Sequence, residues 1–163
     1  MTRLKLATLF LIGMSVSMTS SGQDSLSSKL TSRTALNLAA AEQIASAAES
    51  EARKNSWNVS IAIVDDSGRL LYFQRMDDTS NASVEIAIAK AQHAANYRRD
   101  TKFHQEALAK GNDVVLALPN SMPLEGGLRL MAKDKVIGGI GVSGVQASED
   151  AQIAKAGADL LAN

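Results

Sequence analysis

The chain contains no cysteine and only two prolines among its 163 residues. Without cysteine there is no disulfide framework, no thiol chemistry and no lipid-anchored N-terminal cysteine. Aromatic residues are few. Beyond Phe10 they are Trp57, Tyr72, Phe73, Tyr97 and Phe103, which is little material for a deep aromatic pocket. The two histidines, His93 and His104, lie eleven positions apart with no HExxH spacing, and that excludes a zinc site of the usual kind. Basic and acidic residues balance at 17 each. No basic run and no interleaving of bases with aromatics occurs, so nucleic acid is excluded as a partner.

Long apolar runs are also missing, with one short exception. Arg3 and Lys5 precede "LATLFLIGMSV" (Leu6 to Val16), and small and polar residues follow. The order basic, apolar, small is that of a secretory signal peptide, and the run is too short to span a bilayer. The expected division is residues 1–22 as signal peptide, 23–30 as a flexible lead-in and 31–163 as the folded domain. Cleavage between Ser17 and Gln23 would deliver a secreted, periplasmic protein with no membrane span after signal removal. Removing two of the 17 basic residues and none of the 17 acidic ones leaves a net charge of −2.

Alanine is abundant, and it organises the first helix. From Thr31, a plausible N-cap, to Asn55 the chain is rich in helix formers, with Leu38, Ala41, Ala45, Ala48 and Ala52 on one face. "VSIAIVD" (Val59 to Asp65) is β-branched and apolar, the pattern of a strand covered on both faces. "DDSG" is a turn, and "RLLYFQR" (Arg69 to Arg75) returns as a second strand. A second helix is expected from about Ala82 to Arg99, and a shorter one, "KFHQEALAK", ends at Gly111. "VVLALPNSMPLEGG" holds both prolines and reads as a structured loop. "LRLMA" and "KVIGGIGV" form a hairpin about Lys133-Asp134, and Ser148 is expected to cap a last helix. The order is α-β-β-α-α-β-β-α, with the strands in hairpins and a mainly antiparallel sheet.

The stretch "GIGVSG" from Gly139 satisfies the glycine spacing of a dinucleotide fingerprint. Its context fails: no second parallel strand follows, because only a C-terminal helix remains. It is no nucleophile elbow either, since Val145 stands where a glycine is required. Gly138, Gly139 and Gly141 are instead expected to let a helix or another backbone approach the strand closely, with Gly144 turning into the last helix.

"KVIGGIGVSGVQASEDAQIAKAGADLL" resembles the C-terminal signature of the GlcG/HbpS family, the haem-degrading domain also found at the C-terminus of PduO-type proteins. "WNVSIAIVDDSGRLLYFQRMDD", "SVEIAIAKAQHAA" and "PLEGGLRLM" match its other blocks in the same order. The resemblance runs from about Leu30 to Leu161. It implies an α+β fold: a profilin-like α-β-α sandwich with a five-stranded antiparallel sheet flanked by helices. It also implies homodimers or higher oligomers such as octamers, and haem or iron binding in some members. Three departures stand out. Lys133-Asp134 replaces an Asp-Gly turn, and Arg99-Asp100-Thr101 replaces Arg-Pro-Thr beside a ligand surface. The first helix lacks the histidine that some haem-binding relatives carry there.

The candidate site residues follow from spacing and chemistry. Ile86, Lys90, His93 and Tyr97 recur at helical spacing, presenting an amine, an imidazole and a phenol on one stripe. Haem iron takes His, Met or Tyr, and propionates favour Lys or Arg. His93 is therefore a candidate axial ligand to haem iron, with Lys90, Arg98 or Arg99 as propionate partners. His104 and Met76 are further candidate ligands, and Thr101 lies on the same loop as Arg99. The alternative is a solvated helix face with an incidental histidine, and a methionine that merely fills core. In "PLEGG", Gly126 and Gly127 could offer backbone N–H groups to an anion, and Glu125 could act as a general base. Three functions fit: a haem- or tetrapyrrole-binding protein for uptake, storage or stress sensing; a small-molecule enzyme acting on an organic acid or reactive aldehyde through Glu125; or a non-catalytic oligomeric accessory protein.

Overall fold

The computed structural model describes residues 26–162. The expected signal peptide and the first residues of the lead-in lie outside them. Leu26–Lys29 is a single 3₁₀ turn in a short N-terminal unit that ends at Arg33. The domain proper begins at Thr34.

Helix α1 spans Leu38–Lys54, and its N-cap is Asn37 rather than Thr31. The Asn37 side chain accepts from the Ala40 N–H at 2.9 Å, satisfying one of the orphan donors of a helix start. Ala41, Ala45, Ala48 and Ala52 are fully buried as their spacing requires, while Ile44 joins that face and Leu38 stays exposed. Strands β1 (Ser60–Asp65) and β2 (Leu70–Arg75) form the first hairpin. The Asp65 carboxylate accepts from the Ser67 and Arg69 N–H groups, and Gly68 takes the positive φ of the turn. Helix α2 covers Ala82–Tyr97 and α3 covers Thr101–Ala109, with a 3₁₀ turn at Asp113–Ala117. Strands β3 (Gly127–Ala132) and β4 (Lys135–Ser143) form the second hairpin. Lys133 and Asp134 both take left-handed φ values, the pairing that a two-residue hairpin turn demands. Helix α4 spans Ala147–Ala158. Its N-cap is Gln146, not Ser148, and the Gln146 N–H donates to Glu149 at 3.0 Å.

The sheet has four strands, in the order β2-β1-β4-β3, all antiparallel. The five-stranded sheet implied by the resemblance is corrected to four among the described residues. The segment that leads into β3 cannot add a strand. Pro119 and Pro123 have no N–H to donate, and the amides of Met122 and Glu125 are used by the side chains of His93 and Gln105.

The alternation of β1 assigns its side chains to two layers. Ile61 and Ile63 pack with α1, α4 and the apolar residues of β3 and β4. Ala62 and Val64 pack with Ala87, Ala91 and Ala95 of α2. Helix α2 lies unusually close to β4, and the glycines explain it. A Cβ at Gly139 would collide with the Ala91 carbonyl oxygen, and one at Gly141 with that of Ala87. Alanines above and glycines below bring the α2 backbone onto the sheet, and this carries Lys90 and His93 inside.

Candidate functional site

Lys90 is fully buried, on a helix face expected to meet solvent or ligand. Its Nζ donates to Asp150 Oδ2 at 2.7 Å and to the Val142 carbonyl at 2.9 Å. Asp150 is itself buried, and its second oxygen accepts from the Val145 N–H at 3.2 Å. It also sits in the first turn of α4, where helix polarity favours a negative charge. Burial pulls the Lys90 amine below its ordinary value and pushes the Asp150 carboxyl above its own, each opposed by the partner's charge. The pair is thus an internal tie between α2 and α4. Gly126 closes over it with φ at +120°, and a Cβ there would stand 2.6 Å from the Lys90 Nζ. This close approach, at a φ that side chains rarely adopt, is why a glycine occupies the position.

One turn further along α2, His93 is also fully buried. Its Nδ1 accepts from the Met122 N–H at 2.8 Å, and its Nε2 lies 2.8 Å from His104 Nδ1. The network fixes the protons. A ring nitrogen that accepts an amide N–H carries no proton, so the neutral His93 holds its proton on Nε2 and donates it to His104. His104, half-buried on α3, must then carry its own proton on Nε2. Desolvation, with a smaller contribution from the His104 charge, lowers the His93 pKa to about 4. Tyr97 packs against both imidazoles, and its hydroxyl donates to the Pro119 carbonyl. The Gln105 side-chain oxygen accepts from the Glu125 N–H at 2.6 Å. Helices α2 and α3 therefore hold the proline-containing loop at three points.

The junction between these helices forms the other half of the site. Asp100 has φ −63° and ψ 143°, the backbone that a proline would adopt there. Aspartate in place of proline thus changes charge rather than chain path. Its carboxylate accepts from the Arg129 N–H at 3.0 Å and Nε at 2.9 Å. Thr101 is buried; its Oγ1 accepts from the Gly127 N–H at 2.9 Å and donates to the Gly127 carbonyl at 3.3 Å. Outside this buried layer lies an open cleft of about 380 Å³ lined by Arg99, Asp100, Lys102, Phe103, Glu106 and Arg129. Phe103 is 55% exposed, with the Arg99 guanidinium 5.4 Å from its ring centre. Lys102 donates to Glu125 Oε1 at 2.9 Å on the rim.

The residues nominated from sequence fall into two sets. Lys90, His93, Tyr97, Thr101, His104, Gly126 and Gly127 converge beneath the loop, but their polar groups are largely bonded to protein. Met76 is buried in the core between α1 and the sheet, away from this cluster. Arg99 and Glu125 reach the cleft and its rim. Asp100 was visible only as a departure from the family pattern, and Asp150, Arg129, Lys102 and Phe103 were not singled out as site residues. The partners of Asp150 and Arg129 lie 60 and 29 residues away, and no local spacing encodes such pairings. The cleft face of α3 was legible in principle, since Lys102, Phe103 and Glu106 share one side of a helix at the spacing i, i+1, i+4. Among the described residues, no group of three or more His, Asp or Glu is placed to hold a metal ion, and no helix is long and apolar enough to cross a membrane.

A family model described as haem-degrading protein HbpS-like matches residues 36–159. Protein GlcG of Escherichia coli K12 is 41% identical over 103 residues, covering 63% of this chain and 77% of that protein. A solved double mutant of Streptomyces reticuli HbpS is 31% identical with a TM-score of 0.75, covering 97% of this chain and 99% of that one. A PduOC structure solved as a haem complex is 26% identical with a TM-score of 0.71, covering 77% and 94%. The chain belongs to the HbpS-like family.

Proposed function

We propose that this HbpS-like protein binds haem or a related tetrapyrrole at the cleft between α3 and β3, acting after export to the periplasm in uptake, storage or stress sensing. The observation that carries the reading is the cleft itself, with three cations against two carboxylates around an exposed aromatic ring. A tetrapyrrole offers a flat apolar face and carboxylates at one edge. Phe103 suits the face, and Arg99, Lys102 and Arg129 suit the carboxylates. The periphery of the group therefore fits these residues. Its iron, when bound, would bring redox and ligand-binding chemistry to the cleft. The chain's own part is to bind and orient the macrocycle. The openness of the cleft, together with exposed Val114 and Leu116 on the adjoining loop, supports a homo-oligomer in which a second copy covers the ligand.

The test is a hemin titration of the chain from Gln23, followed at the Soret band, beside Phe103→Ala and Arg99→Glu. Saturable binding that weakens about tenfold or more in either variant is the expected result, a loss of about 1.4 kcal/mol. Binding that neither change alters would remove hemin from this cleft.

A second reading rests on Glu125, whose carboxylate sits beside the same cleft in contact with Lys102. It makes the protein an enzyme for a small organic acid or aldehyde. Turnover of such a substrate, abolished in Glu125→Gln, would support that reading over simple binding.

A further inference from the structure

The histidine, tyrosine and threonine side chains gathered beneath the loop are already occupied. His93 is closed to solvent with a hydrogen bond on each ring nitrogen. The Tyr97 hydroxyl is given to the Pro119 carbonyl and the Thr101 hydroxyl to Gly127. Met76 is buried in the opposite layer. His104 is the remaining nitrogen donor, and its Nδ1 accepts from His93. To ligate a metal through Nε2, His104 would have to move its proton to Nδ1, directly against the Nε2–H of His93. His93 cannot answer by shifting its own proton, because its Nδ1 already receives the Met122 N–H. Metal ligation by His104 therefore breaks one of two hydrogen bonds of 2.8 Å and leaves a buried donor without an acceptor. Arg99 carries no such penalty, since it is exposed, and Lys102, although bonded to Glu125, is exposed as well.

We propose that this chain recognises a porphyrin through its carboxylates and not through its metal, because the Met122–His93–His104 relay withholds both histidines from iron. This rests on the tetrapyrrole reading above. His93 is then a positioning residue: it fixes the tautomer of His104 and holds the loop at Met122.

The experiment compares hemin with metal-free protoporphyrin IX, each titrated against the chain from Gln23 and followed by the fluorescence of Trp57. His104→Phe and His93→Gln are measured alongside. The glutamine amide can accept from Met122 and donate to His104, so it replaces the relay without an imidazole. Equal affinities for the two porphyrins, within about threefold, and unchanged hemin binding in both variants are expected. Hemin bound more than about tenfold tighter than the metal-free ring, with the excess lost in His104→Phe, would overturn the inference while leaving the tetrapyrrole reading intact. Failure of both porphyrins to bind would overturn the two together. Histidine ¹⁵N spectra of the ligand-free protein supply a readout that a merely structural role would not produce. Both Nδ1 atoms unprotonated supports the relay, and a protonated His104 Nδ1 overturns it.

Discussion

The imidazole of His93 couples the stability of the fold to pH. The unfolded chain takes up its proton near 6.5 and the folded chain near 4. Folding therefore favours the neutral ring, and this contribution is complete above pH 6.5 and lost as pH falls toward 4. A gap of that size corresponds to about 3 kcal/mol at most. Urea denaturation at pH 7 and pH 4.5 should show the wild type losing more stability than His93→Gln, which has no proton to take up. Equal losses would mean that His93 is not held neutral. The Lys90–Asp150 pair makes a separate prediction. Asp150→Ala leaves an uncompensated buried ammonium and should cost about 3–5 kcal/mol in denaturant midpoint analysis. Joint replacement by methionine at 90 and leucine at 150 should recover most of it, because a buried pair can be exchanged for apolar contact. Lys90 and His93 were visible in the sequence as a helical stripe, but not as an internal one. Their burial depends on Gly139 and Gly141 of a strand far along the chain, and helical spacing says nothing of which face a distant strand will cover.

At the scale of elements, the sequence was most informative where one residue type has one use. The alanine face of α1, the apolar run of β1 covered on both faces, and the turns at Gly68 and Lys133-Asp134 all stand where pattern and turn chemistry place them. Helix starts were less legible. Thr31 and Ser148 are acceptable caps, but Asn37 and Gln146 hold those places because their neighbours pack into the core, as Leu36 does over Gly138. The four strands could be read from the hairpins, whereas the resemblance suggested a fifth that the loop's spent amides do not permit. Contact between α2 and β4 sets the position of everything above it. Gly141→Ala drives a methyl group into the backbone of α2 and should destabilise the domain by about 1–3 kcal/mol, as overpacking does. Urea denaturation would reveal this, and an unchanged midpoint would show that the helix can lift freely from the sheet.

For the molecule as a whole, the glycines that resemble a nucleotide fingerprint and the histidines that resemble iron ligands are both engaged in packing. Gly139 and Gly141 seat α2 on β4, and His93 ties α2 to the loop and to α3. In the tetrapyrrole reading, the ligand surface falls to the less distinctive residues of α3 and β3. The scarcity of aromatics counts against a deep aromatic pocket, whereas tetrapyrrole binding in an open cleft would need only one exposed ring. The most direct test is the paramagnetic broadening of backbone amide signals by ferric hemin. Broadening centred on residues 98–106 and 129, absent from β2 and from α1, is the result expected for tetrapyrrole binding at this cleft. Broadening centred elsewhere, or none at saturating hemin, would contradict it.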